Sequence, residues 1–431
     1  MKSFLKRGFV AFAFAALVLA ANRPANAAPY SYTLTDLGSL SRALYTTDTV
    51  YKPQMPENRA FGINDSGTVV GELKGQFNIG TVTTPSWKSQ THVIMWTNVG
   101  GSGQVQTNDI GMFGSAGTYP TYKALANGIN STNQMTGFYT YKASSSGGNV
   151  QVASIFNSDK SYATISNPAG YMMSVGNAIN NNGVVVGYST KTSGTSDAAT
   201  AFIYDQTNGS RVIPGATVGT VVNNVVQQSK ATAINNSGLV TGFSYSSAAA
   251  NNRAFIYDPS TATPFSYIGT LGGSTSYGTG INDSGAVVGY SNLLSGVQHG
   301  FLYTNGNMTD LGALGGVGNT SQANAINNKG VIVGTSNNLA FVYENNQMFD
   351  LNTLIGPASS GFLLTNATGI NNLGQIVGYG NLITGKNTDG SLILGEERAF
   401  AVTPTPIPPA VFLFGSGLSG MFFLRRRKTA A

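Results

Sequence analysis

Seventeen Asp and Glu residues are the side chains that could carry out acid–base chemistry in this 431-residue chain. A catalytic acid is expected to be unique, so acids that recur at equivalent positions of an internal repeat are assigned to the scaffold. Adjacent Glu396 and Glu397 would point to opposite faces of a strand, which makes them a poor pair for glycoside hydrolysis. Eight acids lie outside the recurring set and are the candidates for such chemistry: Asp48, Glu57, Glu72, Asp159, Asp197, Asp389, Glu396 and Glu397.

Histidine chemistry is restricted by the position of the two His residues. His92 and His299 occupy the same slot of the repeat, where Arg253 and Arg398 stand in other copies. A base paired with a nucleophile is therefore not expected. The sequence has no Cys, phosphate-binding glycine loop or cluster of metal ligands. It predicts no catalytic residue, no cofactor and no bound metal.

An Ile-Asn pair recurs seven times, and each Ile is followed eight residues later by Gly. Successive copies are 66, 50, 55, 47, 45 and 44 residues apart, which is typical of a repeat protein with insertions in its early copies. We number these copies repeats 1 to 7. The pairs are Ile63/Gly71, Ile129/Gly137, Ile179/Gly187, Ile234/Gly242, Ile281/Gly289, Ile326/Gly334 and Ile370/Gly378.

The residues after each Ile predict a hairpin turn. The fourth residue after the Ile is Gly in every copy except repeat 2, which has Asn133. Both types tolerate positive φ, so the position is a backbone requirement. The Asn that follows each Ile is expected to cap the turn with its side chain. A calcium or sugar ligand is the alternative, although only Asp65 and Asp283 add a carboxylate here, and calcium sites need several charged oxygens.

Three further apolar segments follow the first strand in each repeat, so about 45 residues supply four strands. The fourth contains Asp-Leu-Gly, as in 308–316, but the last repeat runs from Arg398–Val402 directly into prolines. A matching segment stands at the front, at Tyr32–Leu40. The sequence therefore predicts an all-β fold, a seven-bladed β-propeller closed by the N-terminal strand, because closure removes exposed sheet edges. An open β-repeat array and a different β architecture are the alternatives.

The net charge of +6 does not indicate a nucleic-acid partner. Eight basic residues lie before residue 28 or after residue 403, and 15 basic and 17 acidic residues remain between them. This central region has no positive excess to attract phosphates.

Both ends have the pattern of targeting segments. Residues 1–27 combine early basic residues, the apolar run 9–21 and a small-residue site at Ala25 and Ala27, which predicts a signal peptide. The alternative, an N-terminal membrane anchor, is disfavoured because the run is short for a bilayer. Residues 404–431 contain a Pro-rich spacer, an apolar stretch at 410–424 that predicts a short membrane helix, and a basic cluster. The region between them, 28–403, is the predicted repeat domain.

The C-terminal segment resembles the PEP-CTERM sorting tail of Gram-negative bacteria. The resemblance is carried by Pro406 and Pro408, the apolar stretch and the cluster Arg425, Arg426 and Arg427, although Ile407 stands where the commonest form has Glu. It implies recognition by an exosortase, transient anchoring in the inner membrane and a repeat domain outside the cytoplasm. A plain anchor that is never cut is the alternative.

The repeats resemble the HAF family of extracellular bacterial proteins. The HAF triplet survives as His-Gly-Phe at 299–301 and Arg-Ala-Phe at 253–255 and 398–400. Since that family is known by location, the resemblance implies a non-catalytic cell-surface or matrix protein associated with exopolysaccharide. The alternatives are a secreted carbohydrate-active enzyme that uses one of the eight acids and a calcium-dependent adhesin.

Overall fold

The computed structural model describes residues 31–39, 51–78, 87–111, 123–142, 148–191, 198–222, 225–247, 249–356 and 361–405. The predicted signal peptide with Ala25 and Ala27, and the sorting tail with Pro406, Pro408 and Arg425–Arg427, lie outside these residues, as does the predicted helix at 410–424. No helix in the described ranges is long and apolar enough to cross a bilayer.

The described chain is built from short antiparallel strands, and the prediction of an all-β fold is confirmed. The first half contains β1 (Ser31–Asp36), β2 (Tyr51–Ile63), β3 (Val69–Asn78), β4 (Trp87–Thr97), β5 (Gln106–Gly111), β6 (Lys123–Ile129), β7 (Met135–Lys142), β8 (Asn149–Phe156), β9 (Tyr162–Thr164), β10 (Met173–Ile179), β11 (Val185–Thr190), β12 (Thr200–Asp205), β13 (Gly209–Val212), β14 (Thr220–Val222) and β15 (Val225–Gln227). The second half contains β16 (Ser229–Ile234), β17 (Val240–Ser246), β18 (Asn251–Tyr257), β19 (Phe265–Tyr267), β20 (Gly272–Ile281), β21 (Val287–Leu293), β22 (Gln298–Thr304), β23 (Asn307–Asp310), β24 (Ser321–Ile326), β25 (Ile332–Ser336), β26 (Leu339–Glu344), β27 (Gln347–Asp350), a 3-10 turn (Leu351–Thr353), β28 (Phe362–Ile370), β29 (Ile376–Lys386) and β30 (Leu392–Thr405).

The strands form sheets in which chain neighbours pair. Repeats 3 to 6 each have a four-stranded sheet, in the orders β10-β11-β12-β13, β16-β17-β18-β19, β20-β21-β22-β23 and β24-β25-β26-β27. Repeats 1 and 2 share an eight-stranded sheet joined by a parallel bridge between Thr91 and Lys123. The last sheet has the order β1-β30-β29-β28, so the first strand of the chain supplies the missing strand of the last repeat.

Contacts along the chain separate Leu34–Thr403 from a unit made of the two ends, 1–33 and 404–431. The larger unit contains the repeats. In the end unit, the described residues are 31–33 and 404–405, where the hydroxyls of Ser31 and Thr405 lie 2.7 Å apart.

The fourth strand is shorter than the sequence predicts. The prediction extends it through Leu40, but β1 ends at Asp36 because the Asp36 carboxylate accepts the Ser39 N–H at 3.0 Å. In β23 the strand likewise ends at Asp310, whose carboxylate accepts the Gly312 N–H at 2.7 Å. The Asp of Asp-Leu-Gly therefore ends the strand and caps the following turn.

The first strand of every repeat has a β-bulge, which lies between the residues three positions and one position before its Ile. The residues on either side of the bulge are Ala or Gly, and neighbouring first strands come close together there. A Cβ on Gly280 would lie 3.2 Å from the Cα of Ala325 in the next repeat. Successive first strands contact one another along the chain, and β28 also contacts β2. Small side chains are thus required by the approach of one backbone to the next.

Second and third strands hold the core between neighbouring sheets. The Gly eight residues after each Ile faces a carbonyl of the first strand, and a Cβ on Gly289 would lie 1.9 Å from the Tyr277 oxygen. The third strand places a fully buried aromatic over it, as Phe301 does. Equivalent aromatics in other repeats are also fully buried: Phe202, Phe255, Phe341 and Phe400.

The predicted positive-φ turn is confirmed in all seven repeats. The turn residue has φ between 61° at Asn133 and 90° at Gly238. At Gly330 the φ is 81°, and an added Cβ would meet no atom within 4 Å.

Gly330→Ala therefore isolates the conformational cost of this turn. We expect a loss of about 1–2 kcal/mol in the free energy of unfolding, because Ala resists the left-handed region. Urea denaturation of Gly330→Ala and of Gly356→Ala measures the effect; Gly356 also has open space around it but no positive φ. Equal losses in both variants would contradict the assignment.

Candidate functional site

The seven Asn residues after the Ile positions form a closed circuit of hydrogen bonds, which we call the asparagine circuit. Each Nδ2 donates to the main-chain oxygen of the next Asn, at 2.9 to 3.2 Å, and Asn371 donates to Asn64. All seven side chains are buried. The members are Asn64, Asn130, Asn180, Asn235, Asn282, Asn327 and Asn371.

The other half of each carboxamide caps its own turn. The Oδ1 of Asn235 accepts the N–H groups of Ser237 and Leu239. In all seven repeats, the Oδ1 of the circuit Asn accepts the main-chain N–H of the residue four positions later. The predicted capping role is confirmed. The position needs an acceptor atom and a separate donor atom on one short side chain, which Asn provides; an ionised Asp has no donor, and Ser has both functions on a single oxygen.

A second set of inter-repeat bonds comes from the bulge residue, two positions before each Ile. Thr232 donates to the Gly278 oxygen at 2.8 Å, and Asn177 donates to the Ala231 oxygen at 2.7 Å. Equivalent bonds are made by Asn127, Thr279, Asn324 and Thr368. Repeat 1 has Phe61 at this position, which has no polar group to donate.

The asparagine circuit surrounds a cavity. The Ile, the Asn and the residue after it from all seven repeats line a cavity of about 200 Å³. Its two carboxylates are Asp65 and Asp283. Asp283 accepts the Asn236 N–H at 3.0 Å and the Asn328 side-chain amide at 2.8 Å. Burial raises the pKa of Asp283, but these amide donors outweigh it and the pKa is lowered.

The hydrogen bonding of the two carboxylates in this cavity does not favour a calcium site. Asp65 also accepts two amides, the main-chain and side-chain N–H groups of Asn372, both at 2.8 Å. Both rim carboxylates are therefore satisfied by neutral donors. Across the described ranges, no group of three or more His, Cys, Asp or Glu side chains could hold a metal ion.

A second layer, which we call the variable layer, lies about 13 Å along the first strand from each Ile, at about 3.3 Å per residue. It consists of the residues four before and nine after the Ile, which face each other across the first two strands. The pairs are Arg59/Glu72, Leu125/Phe138, Val175/Tyr188, Lys230/Phe243, Tyr277/Tyr290, Gln322/Thr335 and Asn366/Tyr379.

Aromatic and cationic contacts join neighbouring repeats in the variable layer. The Arg59 guanidinium lies 5.0 Å from the Tyr379 ring centre, and Lys230 Nζ lies 4.2 Å from that of Tyr188. Tyr277 makes an edge contact with Phe243, with ring centres 4.8 Å apart. This layer differs in every repeat, so it is where the protein departs from its own symmetry.

Six of the eight candidate acids lie within the described residues, and four of them gather beside β2 and β30. Glu397 accepts from Arg59 Nε at 2.5 Å, and Glu72 lies 3.8 Å from Arg59. Glu57 pairs with Lys74 at 2.8 Å, and Glu396 pairs with Arg398. Glu396 and Glu397 thus have separate partners, as expected of adjacent strand residues.

The other candidate acids are turn caps or lie outside the description. Asp159 accepts the Ser161 N–H and hydroxyl, and Asp389 accepts the same groups of Ser391. The hydroxyl and main-chain bonds lower the pKa of both carboxyls. Asp48 and Asp197 lie outside the described residues.

The two His residues are held by the recurring fourth-strand acids. His92 Nδ1 lies 2.8 Å from Asp109, and His299 Nδ1 lies 2.8 Å from Asp310. In the last repeat Arg398 takes the His slot and pairs with Asp36 at 2.9 Å. These cross-strand pairs are repeated, so they support the interpretation that the His slot serves the scaffold.

Sequence reasoning missed a set of buried serines that also join the repeats. Ser276 accepts the Ala254 N–H at 2.9 Å and donates to the Gly269 oxygen at 2.6 Å. Ser321 makes the same bridge from Gly300 to Gly312. The signal was present, because Ser recurs five residues before the Ile in repeats 3 to 6. Repeat 1 has Asn58, which accepts the Ala399 N–H at 2.8 Å.

Comparison with protein families places the chain in one whose function is not known. The model described as "Protein of unknown function (DUF3466)" matches residues 29–213 and 209–314. The chain therefore belongs to the DUF3466 family. No curated protein matches it.

Solved structures give distant similarities. The acylaminoacyl peptidase of Pyrococcus horikoshii has a TM-score of 0.42 at 9% identity, over 81% of this chain and 53% of that one. A puromycin-hydrolyzing peptidase of Mycobacterium tuberculosis has a TM-score of 0.43 at 11% identity, over 85% and 56%. The chain thus spans about half the length of these peptidases. The fucose-specific lectin of Aleuria aurantia has a TM-score of 0.30 at 10% identity, over 83% and 99%.

Asn235→Asp separates the two roles of the circuit. Asp keeps the turn-capping acceptor but removes the donor to Asn282 and buries a carboxylate against a carbonyl. We expect a loss of about 3 kcal/mol or more in the free energy of unfolding, measured by urea denaturation.

Asn182→Asp is the matched control for this variant. The exposed Asn182 also donates its side-chain amide to a carbonyl of the next repeat, at 3.3 Å. Its loss should cost less than about 1 kcal/mol, because water replaces the bond. If Asn235→Asp is as mild as the control, the circuit does not contribute to stability.

Glu72→Gln tests the buried acid beside Arg59. Burial raises the pKa of Glu72 from its ordinary value of 4.5, and the Arg59 charge opposes this only in part. Ionisation of Glu72 therefore lowers the free energy of unfolding. The contribution of the neutral carboxyl to the stability of the wild type is fully present below pH 4.5 and is lost as the pH rises through the pKa of Glu72 in the folded protein. Thermal unfolding of both forms between pH 4 and 8 should show Glu72→Gln gaining relative to the wild type as the pH increases. A constant difference would contradict the raised pKa.

Proposed function

We propose that this protein is an exported, non-catalytic protein of the cell surface or extracellular matrix, built as a closed seven-bladed β-propeller. In this proposal the propeller displays variable surfaces to exopolysaccharide. The asparagine circuit is the single observation that supports it most directly, because a hydrogen-bonded circuit that returns from Asn371 to Asn64 needs the repeats to surround an axis.

Pairing at the chain ends supports closure independently. β1 completes the sheet of the last repeat, and Trp96 of repeat 1 donates to the Leu37 oxygen at 3.2 Å. An open array would leave the first and last repeats without these partners. We therefore infer that the front segment closes the ring, as the missing last strand implies.

A binding role is supported by what the polar residues already do. Recurring Asn, Ser and Asp side chains cap turns or join repeats, so they belong to the scaffold. The residues that differ between repeats lie in the variable layer and in the early insertions. Such differences let one repeat present groups that the other repeats lack, and the insertions place them on loops, where binding residues are common.

The enzyme alternative rests on the two acids that share Arg59. Glu72 is 15% exposed and Glu397 23% exposed, and burial raises the pKa of Glu72, as in a carboxyl that donates a proton. A secreted carbohydrate-active enzyme would use this pair. Glu72→Gln and Glu397→Gln should both leave glycan cleavage at the background level if the protein is not an enzyme. A cleavage activity that is lost in either variant would favour the alternative.

Export and sorting complete the proposal. We propose that residues 1–27 direct export and that an exosortase cleaves near Pro406 and Pro408 while the tail holds the protein in the inner membrane of a Gram-negative bacterium. The HAF and PEP-CTERM resemblances and the separation of charge between ends and centre support this. No nucleic-acid partner, cofactor or metal is proposed.

Mass spectrometry of the mature protein tests sorting. We expect an N-terminus near Ala28 and a C-terminus near the Pro406–Pro408 motif in the surface or matrix fraction. A strain without the processing enzyme, and a Pro406→Ala/Pro408→Ala variant, should retain the tail in the membrane fraction. A matrix protein that still ends at Ala431, or a protein confined to the cytoplasm, would overturn the assignment.

A further inference from the structure

Lys230 is an unusual cation in the variable layer. Its Nζ lies 4.2 Å from the ring centre of Tyr188, in the neighbouring repeat, and the side chain is partly buried. Its main chain pairs with that of Phe243, so its neighbour on the adjacent strand is also aromatic. Among the described residues, no carboxylate forms an ion pair with it. Burial lowers the pKa of Lys230, because the ammonium loses water without gaining an anion.

The residues at the same position in the other repeats show how Lys230 differs from them. Arg59 occupies the position in repeat 1, where Glu397 and Glu72 neutralise it. The remaining repeats have Leu125, Val175, Tyr277, Gln322 and Asn366. Lys230 is therefore the cation at this position for which the described chain supplies no counter-ion.

Aromatic rings continue from Lys230 into the next repeat. Phe243 contacts Tyr277, and the Tyr277 and Tyr290 rings stack with centres 4.8 Å apart. Phe243, Tyr277 and Tyr290 are all partly exposed. Burial raises the pKa of Tyr290 to about 12, helped by Tyr277, so its hydroxyl stays neutral and can donate.

We propose that this surface, formed by Lys230, Tyr188, Phe243, Tyr277 and Tyr290, binds a polysaccharide that carries carboxylates. The ammonium of Lys230 receives the sugar carboxylate, and the apolar face of the sugar ring packs against the partly exposed aromatic rings. The inference rests on the proposed function and names the class of glycan and its site. A neutral glycan would leave the ammonium without an anion, so the charge selects acidic sugars.

Energetics favour an anion at this position. A partly buried ammonium without a counter-ion is less stable than a paired one, and a ligand carboxylate offsets that cost. Lys230→Met keeps the length and the aliphatic contact with Tyr188 but removes the charge. The variant should unfold at the same temperature as the wild type or a higher one, because it removes an unpaired charge.

Isothermal titration with oligogalacturonate, using maltooligosaccharide as the neutral counterpart, tests the site on the mature secreted protein. We expect the wild type to bind oligogalacturonate and Lys230→Met to lose about tenfold or more in affinity without loss of stability. Lys230→Arg should retain most of the affinity. Lys74→Met is the control, since Lys74 is exposed and paired with Glu57.

The outcomes separate this inference from the proposed function. Unchanged affinity in Lys230→Met, or stronger binding to the neutral oligosaccharide, would overturn the acidic-glycan site. Absence of binding to both probes by a protein found in the matrix would overturn it as well, while export and surface location stand. A protein retained in the cytoplasm would instead overturn the proposed function, whatever it binds in vitro.

Discussion

The fold depends on one side chain that serves two repeats at once. Each carboxamide of the asparagine circuit closes its own turn through Oδ1 and reaches the next repeat through Nδ2. Local turn geometry and repeat packing are therefore set by the same group, and a turn that deforms also loses its neighbour. Since the circuit is buried, neither bond can be exchanged for water without a cost. This explains why Asn occurs seven times, although Asp or Ser would cap an isolated turn equally well.

Variation between the repeats is concentrated in the parts of the repeat that this constraint leaves free. Near the circuit, the bulge residue donates to the next repeat in every repeat except the first, its neighbours must be small, and the second strand needs Gly under a carbonyl. The variable layer has none of these requirements. Lys230 and Arg59 occupy equivalent positions with opposite surroundings, one among aromatic rings and the other between two carboxylates. The scaffold thus tolerates changes of charge one layer away from the residues that hold it together.

Local features were predictable from the sequence, whereas contacts between repeats were not. Positive φ at Asn133 and the Gly residues follows from residue type, and so does the capping bond of Asn235. The partner of Asn235 Nδ2 is a carbonyl of Asn282, 47 residues away, which no local pattern specifies. Glu72 and Glu397 were recognised as acids outside the repeat, but their meeting at Arg59 requires the last repeat to pack on the first. Lys230 could not be recognised at all, because its significance lies in the absence of an acid on neighbouring strands within the described chain.

The distribution of polar contacts around the circuit follows from chain connectivity. Bonds between consecutive repeats join residues as few as 44 positions apart, as from Asn327 to Asn371, whereas the bond from Asn371 to Asn64 joins residues 307 apart. Loop-closure entropy makes this last contact about 2 kcal/mol more costly, because the cost rises with the logarithm of the separation. At this junction Arg398 takes the place of His in the recurring pair with Asp36, and Asn58 takes the place of Ser in the recurring bond, here from the Ala399 N–H. Within the described residues, the ion pair of Arg59 with Glu397 has no counterpart in the other repeats. Between repeats 1 and 2, which are neighbours in the chain, Phe61 breaks the second set of bonds. The last and first repeats thus share an additional ion pair where the chain does not already hold the partners together.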